Sequence, residues 1–207
     1  NLAKTHYRWG QHSDIVIRMP TGGGAAAGPF HSQSNEAWFF HIPGLKIVYP
    51  SSPSDAKGLL LASFEDPNPV LFFEHKGLYR SIREDVHTQE YTIDIGKAKT
   101  LLKGEDITFI SYGLGVHWCQ EVINDLEINA TLIDLRTLVP LDKDCIKKGV
   151  KATGKVIIVH EDTEQGGIGG EIAAWIGEHC FTYLDAPVMR VCSLDTPIPF
   201  NENLEHN

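Results

Sequence analysis

The sequence predicts an α/β protein made of two three-layer α/β/α units, and three observations carry that expectation. Short apolar runs rich in β-branched and aromatic residues recur along the chain, among them Ile15-Val-Ile17, Val70-Leu-Phe-Phe73 and Val156-Ile-Ile-Val159. Helix-length segments separate them, so strands alternate with helices, the pattern of a mostly parallel sheet with right-handed crossovers. One mixed polar stretch, from Lys76 to about Glu105, interrupts the series and divides it in two.

In the first unit, residues 14–19 form a buried strand. A glycine-rich run follows, Thr21-Gly-Gly-Gly-Ala-Ala-Ala-Gly28, which suits neither a helix nor a strand interior. A short helix spans residues 33–41, stopped by Pro43 and Gly44. Residues 46–49 form the second strand, residues 54–64 a helix with Ser52 or Ser54 near its N-cap, and residues 70–74 the third strand. The polar stretch holds a hairpin or an edge strand. The second unit runs strand 106–111, helix 116–126, strand 130–134, helix 141–151, strand 155–160, helix 171–179 and strand 188–192. The predicted organisation is therefore residues 1–80, a linker over 81–105, and residues 106–207.

Composition excludes several function classes. Hydrophobic residues make up 42% and charged residues 22% of the 207, as in ordinary globular chains. No apolar run reaches the roughly 20 residues of a membrane span. A net charge of -9 disfavours nucleic acid, whose phosphates need clustered Lys and Arg. Cys119, Cys145, Cys180 and Cys192 form no Cys-x-x-Cys pair, so they indicate neither a zinc site nor a redox motif and are expected as reduced, mostly buried side chains. The first residue is Asn1, and Leu2 to Arg8 reads as the tail of a helix, so the chain is expected to be a piece of a longer protein.

The candidate catalytic residue is His31, in Gly28-Pro-Phe-His-Ser-Gln-Ser-Asn35. It is expected on an irregular, glycine-fed loop just before a helix, where an imidazole can be accessible, aimed and able to pass a proton near pH 7. A surface turn with an incidental histidine fits the same residues. Ser32 and Gln33 suit orienting that histidine or capping the helix. His41, at a helix end, suits the helix dipole. The run His160-Glu-Asp-Thr-Glu164 begins like a zinc-protease helix, but its fifth residue is Glu164 and His160 ends a strand, so that motif fails. Gly166 to Gly170 lacks the spacing of a phosphate loop and is read as packing.

A series of motifs in order resembles a known family. They are Phe30-His-Ser-Gln-Ser34, Pro43-Gly-Leu-Lys-Ile-Val-Tyr-Pro50, Asp55-Ala-Lys-Gly-Leu-Leu60, Asp66-Pro-Asn-Pro69, Phe72-Phe-Glu74 and Leu78-Tyr-Arg80. Asp134-Leu-Arg-Thr-Leu-Val-Pro140, His160-Glu161, Gly167-Ile-Gly-Gly-Glu171 and Asp195-Thr-Pro-Ile-Pro199 continue it. The chain resembles the β subunit, or the β-like half of a fused chain, of the thiamine-diphosphate-dependent 2-oxo acid dehydrogenases, most like the branched-chain (2-oxoisovalerate) member. The resemblance implies part of a pyrimidine-binding, transketolase-like domain followed by a transketolase C-terminal-like domain. It implies His31 as the active-site histidine. It implies thiamine diphosphate with magnesium held mainly by residues outside this chain, since the Gly-Asp-Gly…Asn motif is absent.

The resemblance further implies a structural potassium ion on carbonyls near Ser13, Ile15 and Val16 with Asp66 and Asn68. By residue type alone, Asp66-Pro-Asn-Pro69 is simply turn chemistry. The implied partners are an α subunit, a second β subunit, a lipoyl acyltransferase core and a 2-oxo acid. The implied location is cytoplasmic, or the mitochondrial matrix in a eukaryote. Pyruvate and acetoin dehydrogenases are the enzymatic alternatives, and a catalytically silent assembly domain is the alternative from another class.

Overall fold

A computed structural model describes residues 1, 9–10 and 12–205. The expected helix tail over residues 2–8 lies outside them. Two sheets organise the chain. The first has the order β1-β3-β2-β7, from β1 (Val16–Thr21), β2 (Lys46–Val48), β3 (Val70–His75) and β7 (Thr137–Val139). The second has the order β4-β6-β5-β8-β9, from β4 (Lys99–Leu102), β5 (Ile107–Ser111), β6 (Ala130–Asp134), β8 (Val156–Thr163) and β9 (Met189–Ser193). The pairings are parallel except β2 with β7 and β4 with β6.

The helices are α1 (Gly28–His31), α2 (Glu36–Phe40), α3 (Pro53–Glu65), α4 (Leu78–Ser81), α5 (Leu114–Asp125), α6 (Lys143–Thr153), α7 (Ile168–Cys180) and α8 (Glu202–Glu205). None is long and apolar enough to cross a membrane. Ser52 caps α3 by accepting from the Asp55 N–H at 3.2 Å, and Asp142 caps α6 through the Cys145 N–H at 3.0 Å.

The strand period of two sorts the side chains into layers. Val48, Val70 and Phe72 face α3 and its Leu59, with Ile93 and Ile95 of the polar stretch packed against them. Their neighbours Ile47, Tyr49, Leu71 and Phe73 face the other way and join Ile110, Ile133, Ile146, Ile158 and Ile172 in one core. That core is continuous across both sheets, so the two units share their largest buried layer. On the far face of the second sheet, α5 lays Val116, Cys119 and Ile123 on Phe109, Leu132 and Val159.

Two local differences from the sequence expectation matter for the site. The helix expected over 33–41 is the shorter α2, and a separate one-turn helix, α1, precedes it across residues 32–35. Pro29 in the first turn presets its backbone angle, which starts α1 early. His31 therefore closes a one-turn helix instead of sitting on the loop before a helix. The second difference is β7. Thr137–Val139 leaves the second unit and pairs with β2 of the first sheet, which neither length nor apolarity marks as a strand.

Candidate active site

The glycine run after β1 reverses the chain at its C-terminal end. Gly22, Gly24, Ala26 and Gly28 all have positive φ. At Gly22 (φ +94°), a Cβ would lie 2.1 Å from His75 Nε2, so no side chain fits there. The reversed segment is fastened at several points. The Gln33 carbonyl accepts from Thr21 Oγ1 at 2.9 Å and from the Gly22 N–H at 3.2 Å. The Lys76 ammonium donates to the His31 carbonyl. Ser32, fully buried, accepts from the Ala27 N–H through its hydroxyl at 3.2 Å. The His31 side chain itself is exposed, so its backbone is held while its imidazole stays open to solvent.

The second unit reaches this segment from the C-terminal end of β8. Glu161 Oε1 accepts from the Gly23 N–H at 2.9 Å, and Oε2 accepts from the Ser34 hydroxyl at 2.8 Å. His75 Nε2 lies 3.0 and 3.1 Å from the two oxygens. Because His75 Nδ1 accepts from the Gly77 N–H at 3.1 Å, the ring proton is on Nε2 and is donated to Glu161. Burial alone would raise the Glu161 pKa, but the bonds from His75, Gly23 and Ser34 outweigh it and hold the carboxyl below its ordinary value.

Two residues past Ser34, Glu36 is fully buried and its Oε1 accepts from the Tyr112 hydroxyl at 2.7 Å. Its Oε2 has no hydrogen-bond partner among the described residues. Desolvation, with the nearby Asp162 charge adding to it, pushes the Glu36 carboxyl up to about 8. At the C-terminal end of the chain, Glu205 accepts from the Gly24 N–H at 2.9 Å and the Ala26 N–H at 2.8 Å, and Phe200 packs on Phe30 with ring centroids 6.3 Å apart. A cleft of about 280 Å³ opens beside Ser34, walled by Trp38, Glu161, Asp162 and Asp195.

The other expected residues lie elsewhere. Ser13, Ile15 and Val16 do come beside the Asp66–Asn68 turn: the Ser13 N–H donates to the Pro67 carbonyl at 3.1 Å, and Val70 N–H donates to the Ile15 carbonyl at 2.9 Å. However, the Asp66 carboxylate already pairs with the Lys46 ammonium and accepts from both Asn68 N–H groups, at 2.9 and 2.8 Å. That donor set does not fit a potassium ion on the Asp66 and Asn68 side chains, because Lys46 supplies the cation and Asn68 faces Asp66 as a donor. His41 ends α2. His160 is buried, donates from Nδ1 to the Asp162 carbonyl at 3.1 Å, and accepts at Nε2 from the Gly169 N–H at 3.2 Å. It fastens the start of α7. No group of three or more His, Cys, Asp or Glu among the described residues is arranged to hold a metal ion.

Sequence reasoning singled out His31 but passed over Glu161, Ser34, Lys76 and His75. A signal for Glu161 was present: it stands at the C-terminal end of a central parallel strand, where ligand sites of α/β sheets gather. It was discounted along with the failed zinc motif.

Comparison with known proteins agrees with this architecture. The family models "Transketolase, pyrimidine binding domain" and "Transketolase, C-terminal domain" match residues 2–82 and 96–207. The chain is 47% identical over 203 residues to 2-oxoisovalerate dehydrogenase subunit beta 2, mitochondrial, of Arabidopsis thaliana, covering 95% of this chain and 57% of that one. It is 50% identical over 195 residues to 2-oxoisovalerate dehydrogenase subunit beta of Bacillus subtilis, covering 92% and 60%. It is 42% identical over 206 residues to the pyruvate dehydrogenase E1 component subunit beta of Bacillus subtilis, covering 97% and 63%. The chain thus spans less than two thirds of each relative. Among solved structures, a split gene transketolase described as an inactive beta4 tetramer shares the fold, with a TM-score of 0.71 at 23% identity, over 88% of this chain and 58% of that one. The chain belongs to the transketolase family, with a pyrimidine-binding unit followed by a transketolase C-terminal domain, and over most of its length it is similar to β subunits of 2-oxo acid dehydrogenases.

Proposed function

We propose that this chain forms part of the decarboxylating component of a 2-oxo acid dehydrogenase complex and contributes His31 to its active site. The observation that carries the reading is the exposed imidazole of His31 on a segment held at the carbonyls of His31 and Gln33 and at the Ser34 hydroxyl. A surface turn without function needs no such anchoring.

The residues present fit one wall of a thiamine diphosphate site: an open imidazole, an exposed Phe30 next to it in the chain, and a glycine-rich backbone without side chains in the way. When bound, that cofactor supplies the carbon nucleophile that takes up a 2-oxo acid and releases carbon dioxide. His31 would hold a proton at its imidazole and deliver it to the sulfur released when a lipoyl disulfide accepts the acyl group. Lys76 keeps the His31 backbone in place for that transfer. The diphosphate and magnesium would be held by another subunit or another part of the chain. The partners consistent with this reading are an α subunit, a second β subunit and a lipoyl acyltransferase core, assembled in the bacterial cytoplasm or the mitochondrial matrix.

The substrate proposed is a branched-chain 2-oxo acid. The support is the difference between 47–50% identity to 2-oxoisovalerate dehydrogenase subunits and 42% to a pyruvate dehydrogenase subunit. The test is to assay the full-length protein, assembled with its α partner, on 2-oxoisovalerate and pyruvate. A higher kcat/KM for 2-oxoisovalerate is expected, and a preference for pyruvate would overturn the substrate assignment.

A further inference from the structure

We propose that Glu161 is a positioning residue for the His31 segment, a clasp supplied by the second α/β unit. The inference rests on the catalytic reading of His31 and adds to it the group that sets the segment's geometry.

The segment between β1 and α2 is poor at holding its own shape. Its glycines and its run of positive φ angles leave the backbone many alternatives, and ordering each residue costs conformational entropy. The anchors from the first unit act on the carbonyls of His31 and Gln33. Glu161 acts differently. One of its oxygens takes the Gly23 N–H and the other takes the Ser34 hydroxyl, so a single carboxylate joins two points that bracket His31 in the chain. His75, at the end of β3, is 2% exposed and donates to the same carboxylate, which fixes the carboxylate's own orientation. Hydrogen bonds to an ionised acceptor are the strong ones, and three donors converge here. Glu36, bonded to Tyr112 two residues beyond Ser34, ties the segment to the second unit again. The imidazole's aim thus depends on the docking of the two units and not on the loop alone.

A glutamine at 161 keeps the size but turns one acceptor oxygen into a donor NH2, which cannot receive both Gly23 N–H and Ser34 O–H. The decisive experiment is a double-mutant cycle in the full-length, assembled, cofactor-loaded enzyme. Acyl transfer to a lipoyl domain, KM for the 2-oxo acid and thiamine diphosphate affinity are measured for wild type, Glu161→Gln, His31→Ala and the double variant. Loss of an orienting partner typically lowers activity roughly 10–100-fold. The expected result is a kcat fall of that order for Glu161→Gln, with KM and cofactor affinity unchanged and no further loss when the change is made on the His31→Ala background.

An equal loss in both backgrounds, or an unchanged kcat for Glu161→Gln, would overturn the positioning role while leaving His31 catalytic. An unchanged kcat for His31→Ala would instead remove the catalytic reading and the clasp's purpose with it. If Glu161→Gln does not fold, Ser34→Ala carries the same cycle. It removes one arm of the clasp, and a smaller, equally non-additive fall in kcat is expected.

Discussion

Tyr112 donates its hydroxyl hydrogen to Glu36 Oε1 at 2.7 Å, and both side chains are sealed between the two units. Tyr112 follows β5 of the second sheet, while Glu36 opens α2 beside the His31 segment. Tyr49, 5.2 Å from Tyr112 between ring centroids, fills the space next to them. A carboxyl so placed is costly to ionise, and the other Glu36 oxygen gains no bond among the described residues to offset that cost.

Glu36 therefore gives the fold a defined pH dependence. Its carboxyl ordinarily titrates at 4.5 and here is pushed up to about 8, chiefly by burial, so the folded state holds a proton that the unfolded chain gives up. Its contribution to stability is complete below about pH 4.5 and is lost as pH rises toward 8, with a slope of at most about 1.4 kcal/mol per pH unit. Glu36→Gln, which cannot ionise, is expected to remove that part of the slope and to be more stable than wild type at pH 8. Urea unfolding at several pH values measures it. A residual slope of the same sign is expected from Asp134, which burial pushes up to about 7.

His31→Ala in the complete enzyme is expected to lower acyl transfer to a lipoyl domain by about 10²–10⁴-fold while leaving thiamine diphosphate affinity nearly intact. The imidazole is exposed and makes no hydrogen bond among the described residues, so folding should be little affected. Rapid-quench acyl transfer and calorimetric titration on the same variant check both halves. Unchanged transfer would favour the silent assembly role.

Arg136 joins three parts of the chain. It bonds to Asp55 at 3.1 Å at the start of α3, and its guanidinium donates to the Lys97 carbonyl at 2.9 and 3.1 Å ahead of β4. Asp55 is 3% exposed, so Arg136→Ala strands a buried carboxylate that, among the described residues, has only Lys99, at 3.8 Å, to balance it. A destabilisation of about 3 kcal/mol is expected, toward the low end for a broken buried pair because Lys99 remains. Chemical denaturation reads it directly.

Gly113, at the turn into α5, has φ +54°, and an added Cβ would sit 2.6 Å from the Tyr49 ring. Gly113→Ala is expected to cost about 2–4 kcal/mol from overpacking and the left-handed backbone together. The damage should be largest where the two units meet, and thermal unfolding with tyrosine fluorescence would detect it. A neutral effect would mean that Tyr49 has room to move.

How much of the molecule was legible varies by element. Val70–His75, Val156–Thr163 and the helices flanking them declare themselves, because local apolar pattern and turn residues are printed in the order of the chain. His31 is a candidate on two grounds, its Gly-Pro-Phe-His-Ser-Gln-Ser setting, which a surface turn also fits, and the family resemblance that favours it. Ser52 at the cap of α3 is equally local.

What only the tertiary structure decided is which distant groups meet. Thr137–Val139 pairs with β2, a strand of the other unit, and such pairing depends on how two sheets dock. Asp66 meets Lys46, so a carboxylate that the family resemblance assigned to a potassium ion pairs here with an ammonium group. Glu161 meets Gly23, Ser34 and His75 across more than eighty residues of chain. Local periodicity determined most of the strands and helices, because those depend on neighbours in sequence, and the ordered motifs of the family resemblance singled out the candidate histidine. The hydrogen bonds that aim that histidine's segment depend on the close packing of two separately wound sheets, and no short window of sequence contains both sides of that contact.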